Sequence, residues 1–207
     1  MTRYGMAVDT ARCSACNACS MTCKVENNLP DTVWWSEGKT EGGEVRYTPG
    51  GSYPDGLTIT YYTLACQHCS NPACVSVCPV DATYRRTEDG LVIQDNELCI
   101  GCKLCVEACP YQVRTFYDTD PEWLIGFPVG DDEAPAHEIN YVTKCTFCVH
   151  RVDRGDMPAC IEICPTQARC FGDLDDPDSD IAKQIATRDY TQLLTEMGTG
   201  PNVYLLK

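Results

Sequence analysis

Cysteine is the residue whose pattern most constrains what this chain can fold into. The chain has 207 residues and 17 cysteines, of which sixteen fall into four groups of four. The odd total, the short spacings, and an opening MTRYGMAVDT without the basic start and apolar stretch of a secretory signal argue against a disulfide scaffold. We therefore predict reduced, metal-binding cysteines. The groups are Cys13, Cys16, Cys19 and Cys23 (group one); Cys66, Cys69, Cys74 and Cys78 (group two); Cys99, Cys102, Cys105 and Cys109 (group three); and Cys145, Cys148, Cys160 and Cys164 (group four).

The spacing within the groups indicates which metal they bind. Group three is a C-x2-C-x2-C-x3-C-P run, the ferredoxin pattern that ligates [4Fe–4S] clusters. Group one has the same spacing with Lys24 in place of the proline, and groups two and four stretch the middle interval to four and eleven residues. The alternative is structural zinc held by four thiolates, but three cysteines at steps of three crowd a tetrahedral site. We predict four [4Fe–4S] clusters.

The sequences around the groups repeat. GMAVDTARC precedes group one and GLVIQDNELC precedes group three, while YTLAC and YVTKC precede groups two and four. CPVDATYRR, CPYQVRTFY and CPTQARCFG end groups two, three and four. This pattern indicates an internal duplication. Because a 20-residue hairpin segment separates groups two and three, we predict that they form one unit enclosed by groups one and four. The predicted fold is α+β, with two interleaved ferredoxin-like units and long partner-facing loops.

The duplication also predicts how the cysteines are shared. In two-cluster ferredoxins, each run gives its fourth cysteine to the other cluster. Applied here, that rule predicts four sets, which we call quartets A to D. They are Cys13, Cys16, Cys19 and Cys164 (A); Cys145, Cys148, Cys160 and Cys23 (B); Cys66, Cys69, Cys74 and Cys109 (C); and Cys99, Cys102, Cys105 and Cys78 (D).

Local signals divide the chain further. The predicted parts are an outer unit (1–23 plus 139–175), a long loop (24–57), an inserted unit (58–118), an acidic loop (119–138), and a C-terminal helix and tail (176–207). Strands are predicted at Met6–Asp9, Ile59–Thr63, Leu91–Gln94 and Thr115–Asp118, with a hairpin turn at Glu88-Asp89-Gly90. Asn71-Pro72 is a predicted N-cap and first-turn pair, and Ser179 or Asp180 is predicted to cap the last helix. The leftover Cys170 falls in a predicted strand, as a buried structural thiol.

The remaining features favour electron transfer over catalysis. No nucleotide-binding, metalloprotease or serine-hydrolase motif occurs, and four cysteines already fill each cluster. The net charge of −14 argues against a nucleic-acid partner, and no apolar run approaches the ~18 residues of a membrane span. Cations beside the ligands are expected to adjust cluster potentials. The candidates are Lys144, Arg12, Lys103 and Arg169.

The whole pattern resembles the four-cluster iron–sulfur subunits of molybdopterin oxidoreductases of the dimethyl sulfoxide reductase family. The four cysteine groups carry the resemblance, together with CKVENN, KCTFCVHRVDRG, FGDLDDPDS and GTGPNVY. The last features are most similar to the arsenate and polysulfide reductase branch. The family also includes thiosulfate and tetrathionate reductases and related dehydroxylases and transhydroxylases. The resemblance implies the same crossed ligation.

The resemblance further implies partners and a compartment. The large partner would hold a bis-pterin molybdenum or tungsten centre, so this chain would carry no molybdopterin of its own. This subunit would relay electrons between that partner and a quinone-linked membrane anchor or a soluble donor. Export with a twin-arginine-bearing catalytic partner would make the complex extracytoplasmic, with the cytoplasm as the alternative. A hydrogenase or formate dehydrogenase complex is the alternative assembly, which the ending GPNVYLLK, without a membrane helix, disfavours.

Overall fold

The structure, a computed structural model, describes residues 2–41 and 48–207, so part of the long loop lies outside the described residues. The fold is α+β, with short elements joined by cysteine-bearing loops. The strands are β1 (Tyr4–Asp9), β2 (Glu37–Thr40), β3 (Tyr61–Leu64), β4 (Thr83–Arg85), β5 (Val92–Gln94), β6 (Thr115–Phe116), β7 (Val142–Thr143), β8 (Arg169–Asp173), β9 (Tyr190–Thr191) and β10 (Val203–Leu206). The helices are α1 (Ala18–Glu26), α2 (Ala73–Ser76), α3 (Leu104–Glu107), α4 (Val149–Asp153), α5 (Ala159–Glu162) and α6 (Asp180–Thr187).

A four-stranded sheet joins the two ends of the chain. Its order is β8-β1-β10-β9, with β1 antiparallel to β8 and parallel to β10. Helix α6 covers this sheet, and its Ile181 packs in a fully buried cluster with Ala7 and Leu206. The segment predicted to be a C-terminal tail thus supplies β10, an interior strand of this sheet. No strand was predicted there.

Helix capping confirms one sequence prediction and corrects another. The hydroxyl of Ser179 accepts a hydrogen bond from the Ala182 N–H at 3.2 Å, so Ser179 caps α6 as predicted. The prediction that Asn71 caps α2 is wrong, because Pro72 occupies the N-cap in an extended conformation (φ −77°, ψ 112°). The Asn71 amide instead donates to the Gly198 carbonyl at 3.1 Å, which connects group two to the C-terminal segment.

Three two-stranded ladders complete the sheet structure. The β4–β5 hairpin confirms the predicted turn between groups two and three. The strand predicted at Ile59–Thr63 begins instead at Tyr61 and pairs with β2, so the predicted long loop contains a strand. The strand predicted at Thr115–Asp118 is reduced to β6, which pairs with β7 just before group four.

The acidic loop (119–138) contains no helix or strand, yet side chains hold it against the rest of the chain. The indole N–H of Trp123 donates to the Asn28 carbonyl at 2.9 Å. The Asn28 side-chain oxygen accepts from the Gly130 N–H at 2.6 Å. An ion pair of 2.6 Å joins Asp131 to Arg154, just beyond α4. The loop is therefore tied to the segment that follows group one and to group four.

The core lies between the cysteine groups. Its largest buried members include Trp35, Leu91, Phe147 and Phe171. Helix α1 of group one packs against α5 of group four, and α2 of group two packs against α3 of group three. Among the described residues, no helix is both long and apolar enough to cross a membrane.

Candidate metal centres

Three of the four predicted quartets each line one small cavity. Each cavity is lined by three cysteines of one group and by the last cysteine of another group. Cys164 joins the three from group one, Cys109 joins group two, and Cys78 joins group three. Soft thiolate ligands of this kind suit iron–sulfur clusters or zinc. The cavity-lining sets are Cys13, Cys16, Cys19 and Cys164; Cys66, Cys69, Cys74 and Cys109; and Cys78, Cys99, Cys102 and Cys105.

The cysteines of quartet B are all buried, and a single amide connects two of them. The side-chain N–H2 group of the fully buried Asn27 lies 3.6 Å from the sulfur of Cys23 and 3.7 Å from that of Cys148. It also donates to the Cys23 carbonyl at 2.9 Å. Asn27 lies within CKVENN, one helical turn after Cys23, and was not among the predicted site residues. Cys23 therefore lies beside a cysteine of group four.

The first loop of every group has the same unusual backbone. The residue just before the second cysteine has a positive φ in all four groups: Ala15 (54°), His68 (42°), Gly101 (68°) and Phe147 (56°). Three of these residues carry a side chain, for which this conformation costs about 1–2 kcal/mol. The turn directs a backbone N–H at the first sulfur, as with the Phe147 N–H, which is 3.5 Å from the Cys145 sulfur. The repeated positive φ shows that the four loops make the same backbone turn just before their second cysteine.

Burial and the charges of neighbouring thiolates raise the pKa of several of these thiols, which makes them poor thiolates on their own. Burial raises the pKa of Cys69 to about 12, and the neighbouring Cys66 thiolate adds to the rise. Burial likewise raises the pKa of Cys148 to about 12, followed by the charge on Cys160. Four thiolates therefore gather here stably only around a positive metal core. The residues present fit a [4Fe–4S] core, which supplies that charge.

Cys78 and Cys164, each the last cysteine of its group, are exceptions. Burial alone would raise the pKa of Cys78, but backbone N–H donors, led by that of Thr83 at 3.4 Å, lower it overall. At Cys164 the Thr166 hydroxyl and the Ala168 N–H, the latter at 3.3 Å, outweigh burial and lower the pKa too. These donors favour the charged thiolate, which is the ligand form.

Aromatic rings join groups two and four. His68 and Phe147 hold the same place in their loops, and their rings stack with centroids 3.8 Å apart. The His68 Nδ1 accepts from the Val92 N–H at 3.1 Å, so Nε2 donates to the Cys145 carbonyl, also at 3.1 Å. Burial holds the pKa of His68 well below its usual value, so the ring is neutral. His68 thus connects two cysteine groups without binding a sulfur.

Lys144 also connects groups two and four. It is 1% exposed, and its ammonium donates to the carbonyls of Val92 and Cys145. Burial raises the pKa of Cys145, and the charge on the Cys66 thiolate contributes next. Groups two and four therefore meet at their first cysteines, with a buried cation beside them.

The other cations predicted beside the ligands have different settings. Arg12 is exposed, and its backbone N–H donates to the Asp9 carboxylate at 3.0 Å. Lys103 lines the cavity of quartet D, and its ammonium lies 4.1 Å from the centroid of the Phe116 ring. Arg169 is buried and lines the cavity of quartet A. Arg114, which was not among the predicted cations, is buried and lines the cavity of quartet C. The sequence feature that could have identified Arg114 is its spacing: like Arg169, it lies five residues after the last cysteine of a group.

Cys170 is in strand β8, as predicted, opposite Ala7 of β1. It is half-buried, not fully buried, because it packs at the edge of the cluster between the sheet and α6. It lines none of the three cavities.

Comparison with known proteins defines the class of this chain. A family described as a 4Fe–4S dicluster domain matches residues 57–123 and 133–174. A protein of Halobacterium salinarum, named provisionally as an iron–sulfur subunit of dimethyl sulfoxide reductase, is 49% identical over 100% of this chain and 79% of its own length. The arsenate respiratory reductase iron–sulfur subunit of Shewanella sp. (strain ANA-3) is 36% identical over 99% of this chain and 96% of its own. A polysulfide reductase chain of Wolinella succinogenes is 37% identical, over 99% and 94%.

The chain belongs to the [4Fe–4S] iron–sulfur subunits of the dimethyl sulfoxide reductase family. It is an electron-transfer subunit. Its relatives are iron–sulfur subunits of reductase complexes, which transfer electrons and do not catalyse the reaction on their own. These relatives favour the molybdopterin reductases over the alternative of a hydrogenase or formate dehydrogenase complex.

Proposed function

We propose that the chain binds four [4Fe–4S] clusters, one at each of quartets A to D, in two interleaved ferredoxin-like units. The outer unit would comprise residues 1–23 and 139–175, and the inserted unit residues 58–118. The observation that carries this proposal is the mixing of groups: each cavity is lined by three cysteines of one group and the fourth cysteine of its partner. The Asn27 amide, between Cys23 and Cys148, supports the same exchange at quartet B.

The quartets would form a chain in the order A, B, C, D. Cys160 of quartet B lies close enough to Cys19 of quartet A for their charges to interact. Cys145 of quartet B interacts in the same way with Cys66 of quartet C. Arg114 is subject to the charges of both quartet C and quartet D. A [4Fe–4S] cluster exchanges one electron without breaking bonds, so the protein's part is to hold neighbouring clusters close and exclude water from between them.

The ends of this chain of quartets are the exposed ones. Cys16 of quartet A and Cys102 of quartet D are both exposed, whereas all four cysteines of quartet B are buried. We propose that one end exchanges electrons with a large molybdopterin catalytic subunit, and the other with a quinone-linked membrane anchor or a soluble carrier. The names of the arsenate respiratory and polysulfide reductase relatives support a respiratory reductase. We propose that this subunit is exported together with its catalytic partner, which would make the complex extracytoplasmic.

Metal counting tests the proposal. The complex would be isolated anaerobically through this chain, with iron, zinc, nickel, molybdenum and tungsten measured per copy and the accompanying subunits weighed. We expect about sixteen irons, four for each of four cubane clusters, and molybdenum or tungsten on a large partner. Zinc in place of iron would overturn the proposal, and nickel would move the chain to a hydrogenase.

Paired cysteine substitutions test the crossed ligation. Cys23→Ser combined with Cys145→Ser should disturb one cluster signal in electron paramagnetic resonance spectra, because both belong to quartet B. Cys23→Ser combined with Cys13→Ser should disturb two signals, because the residues belong to different quartets. The reverse pattern would show that each group keeps its own fourth cysteine. Cys170→Ser is the matched control and should leave every cluster in place.

A further inference from the structure

Two arginines occupy equivalent positions in the repeated sequence. Arg114 and Arg169 each lie five residues after the last cysteine of a group, in CPYQVRTF and CPTQARCF. The glutamines two residues before them, Gln112 and Gln167, have matching left-handed conformations, with φ of 53° and 51°. The two segments therefore make the same turn at these glutamines, and the arginine that follows is buried in both. The arginines are 6% and 8% exposed.

Arg114 lies between quartets C and D. Its side chain lines the cavity of quartet C. Its Nη1 donates to the Thr83 hydroxyl at 3.2 Å and to the Gln94 side-chain oxygen at 3.1 Å. Thr83 and Gln94 both line the cavity of quartet D. The guanidinium is thus held against one cavity by residues of the other.

Arg169 lies between quartets A and B. Its side chain lines the cavity of quartet A. Its Nη1 donates to the Thr63 hydroxyl, and its Nη2 lies 2.9 Å from the sulfur of Met6. Helix α5, which carries Cys160 of quartet B, packs against strand β8, which begins at Arg169. Burial alone would lower the pKa of Arg169, but the charge on Cys160, and then that on Cys19 of quartet A, raises it overall. The second arginine therefore reproduces the placement of the first.

In the part of the chain that the structure describes, no carboxylate neutralises either guanidinium. Within residues 2–41 and 48–207, no ion pair to an acidic side chain involves Arg114 or Arg169. In the same residues, Nε of both arginines and Nη2 of Arg114 are buried without a hydrogen-bond partner. A buried unpaired charge is strongly destabilising. The nearby negative charges that offset this cost are cysteine sulfurs and whatever core they ligate.

We propose that Arg114 and Arg169 are paired potential-setting residues, each placing one fixed positive charge between the two clusters of its own unit. This inference rests on the proposed binding of four clusters. A cluster gains one negative charge on reduction, so a nearby fixed cation favours its reduced form. One arginine would raise the potentials of two neighbouring clusters together. Electrons could then pass between those clusters without a large step in energy.

Redox titration of the anaerobically isolated complex, followed by electron paramagnetic resonance, tests the proposal. Arg114→Gln should lower the potentials of two clusters and leave two unchanged, and Arg169→Gln should lower the other two. The expected shift is a roughly tenfold change in the ratio of oxidised to reduced cluster at a fixed potential, about 59 mV for one electron. Arg114→Lys and Arg169→Lys keep the charge and should remain near the unsubstituted potentials.

The control is Thr83→Val, which removes a hydrogen-bond partner of Arg114 while leaving the charge, and should shift the potentials much less than Arg114→Gln. Unchanged potentials in Arg114→Gln, with all iron retained, would overturn the proposal, as would equal shifts in the lysine and glutamine variants. If the glutamine variant loses iron, the lysine variant decides: retained iron at ordinary potentials supports a role for charge, and lost iron overturns it. Fewer than four clusters in the unsubstituted chain would instead refute the proposed function.

Discussion

Replacing Phe147 with alanine tests whether the stacked rings of His68 and Phe147 hold cysteine groups two and four together. Phe147 is 1% exposed, stacks on His68 at 3.8 Å, and meets Phe171 edge-on at 5.4 Å. Removing a buried phenylalanine side chain costs about 3–5 kcal/mol. Alanine keeps a Cβ at the same positive φ of 56°, so relief of backbone strain does not offset the loss. With a urea dependence of about 2 kcal/mol per molar, the unfolding midpoint should fall by about 1.5–2.5 M.

The assay is urea unfolding of the cluster-bearing chain under anaerobic conditions, followed by aromatic fluorescence and by cluster absorbance. Phe127→Ala is the matched control, since Phe127 is 60% exposed in the acidic loop and its loss should change stability by no more than about 0.5 kcal/mol. Equal midpoints for the two variants would refute the reasoning, because Phe147 would then contribute no more than a surface ring.

Three further predictions concern the acidic loop and the C-terminal helix. A Cβ on Gly130 would lie 1.9 Å from the Val25 carbonyl oxygen, so Gly130→Ala should release the loop and speed its proteolysis. Gly126→Ala meets no atom within 4 Å and adds only the strain of a positive φ of 78°, so it should speed proteolysis much less; equal rates would contradict this. The Arg154 guanidinium lowers the pKa of Asp131 to about 2, below an unfolded value of about 3.9, so this ion pair should stabilise the loop fully above about pH 4 and be lost as the pH falls through about 2. Hydrogen exchange in the loop should follow that pH range and lose the dependence in Asp131→Asn; an unchanged profile in that variant would count against it. Ser179→Ala should destabilise α6 by about 1 kcal/mol, measured by urea unfolding, while Ser179→Asn should restore most of it.

Sequence patterns predicted those elements of the fold that are determined locally. The β4–β5 hairpin follows from its Glu88-Asp89-Gly90 turn, and Gly90 has the expected positive φ of 75°. The Ser179 cap follows from a hydroxyl at the start of an amphipathic segment. The parallel pairing of β1 with β10 could not be predicted, because Met6 and Val203 are almost the whole chain apart and no local signal marks their register. The role of Asn71 was mispredicted for the same reason, because its partner Gly198 is also remote in the sequence.

At the candidate metal centres, the sequence predicted the sets of cysteines more readily than the residues that surround them. Cysteine spacing marks its own chemistry, so four quartets could be written down from a list of positions. The positive charge between quartets C and D could not be predicted in this way. Arg114 follows group three, but its hydrogen-bond partners Thr83 and Gln94 lie in the hairpin that precedes that group. Its position relative to Cys109 was nevertheless repeated by Arg169 relative to Cys164, and the repeat preserves burial and backbone conformation along with the residue type. A costly buried cation follows one cysteine group in each proposed unit, and no carboxylate forms an ion pair with either cation among the described residues. This indicates that each cation acts on the two cysteine quartets beside it.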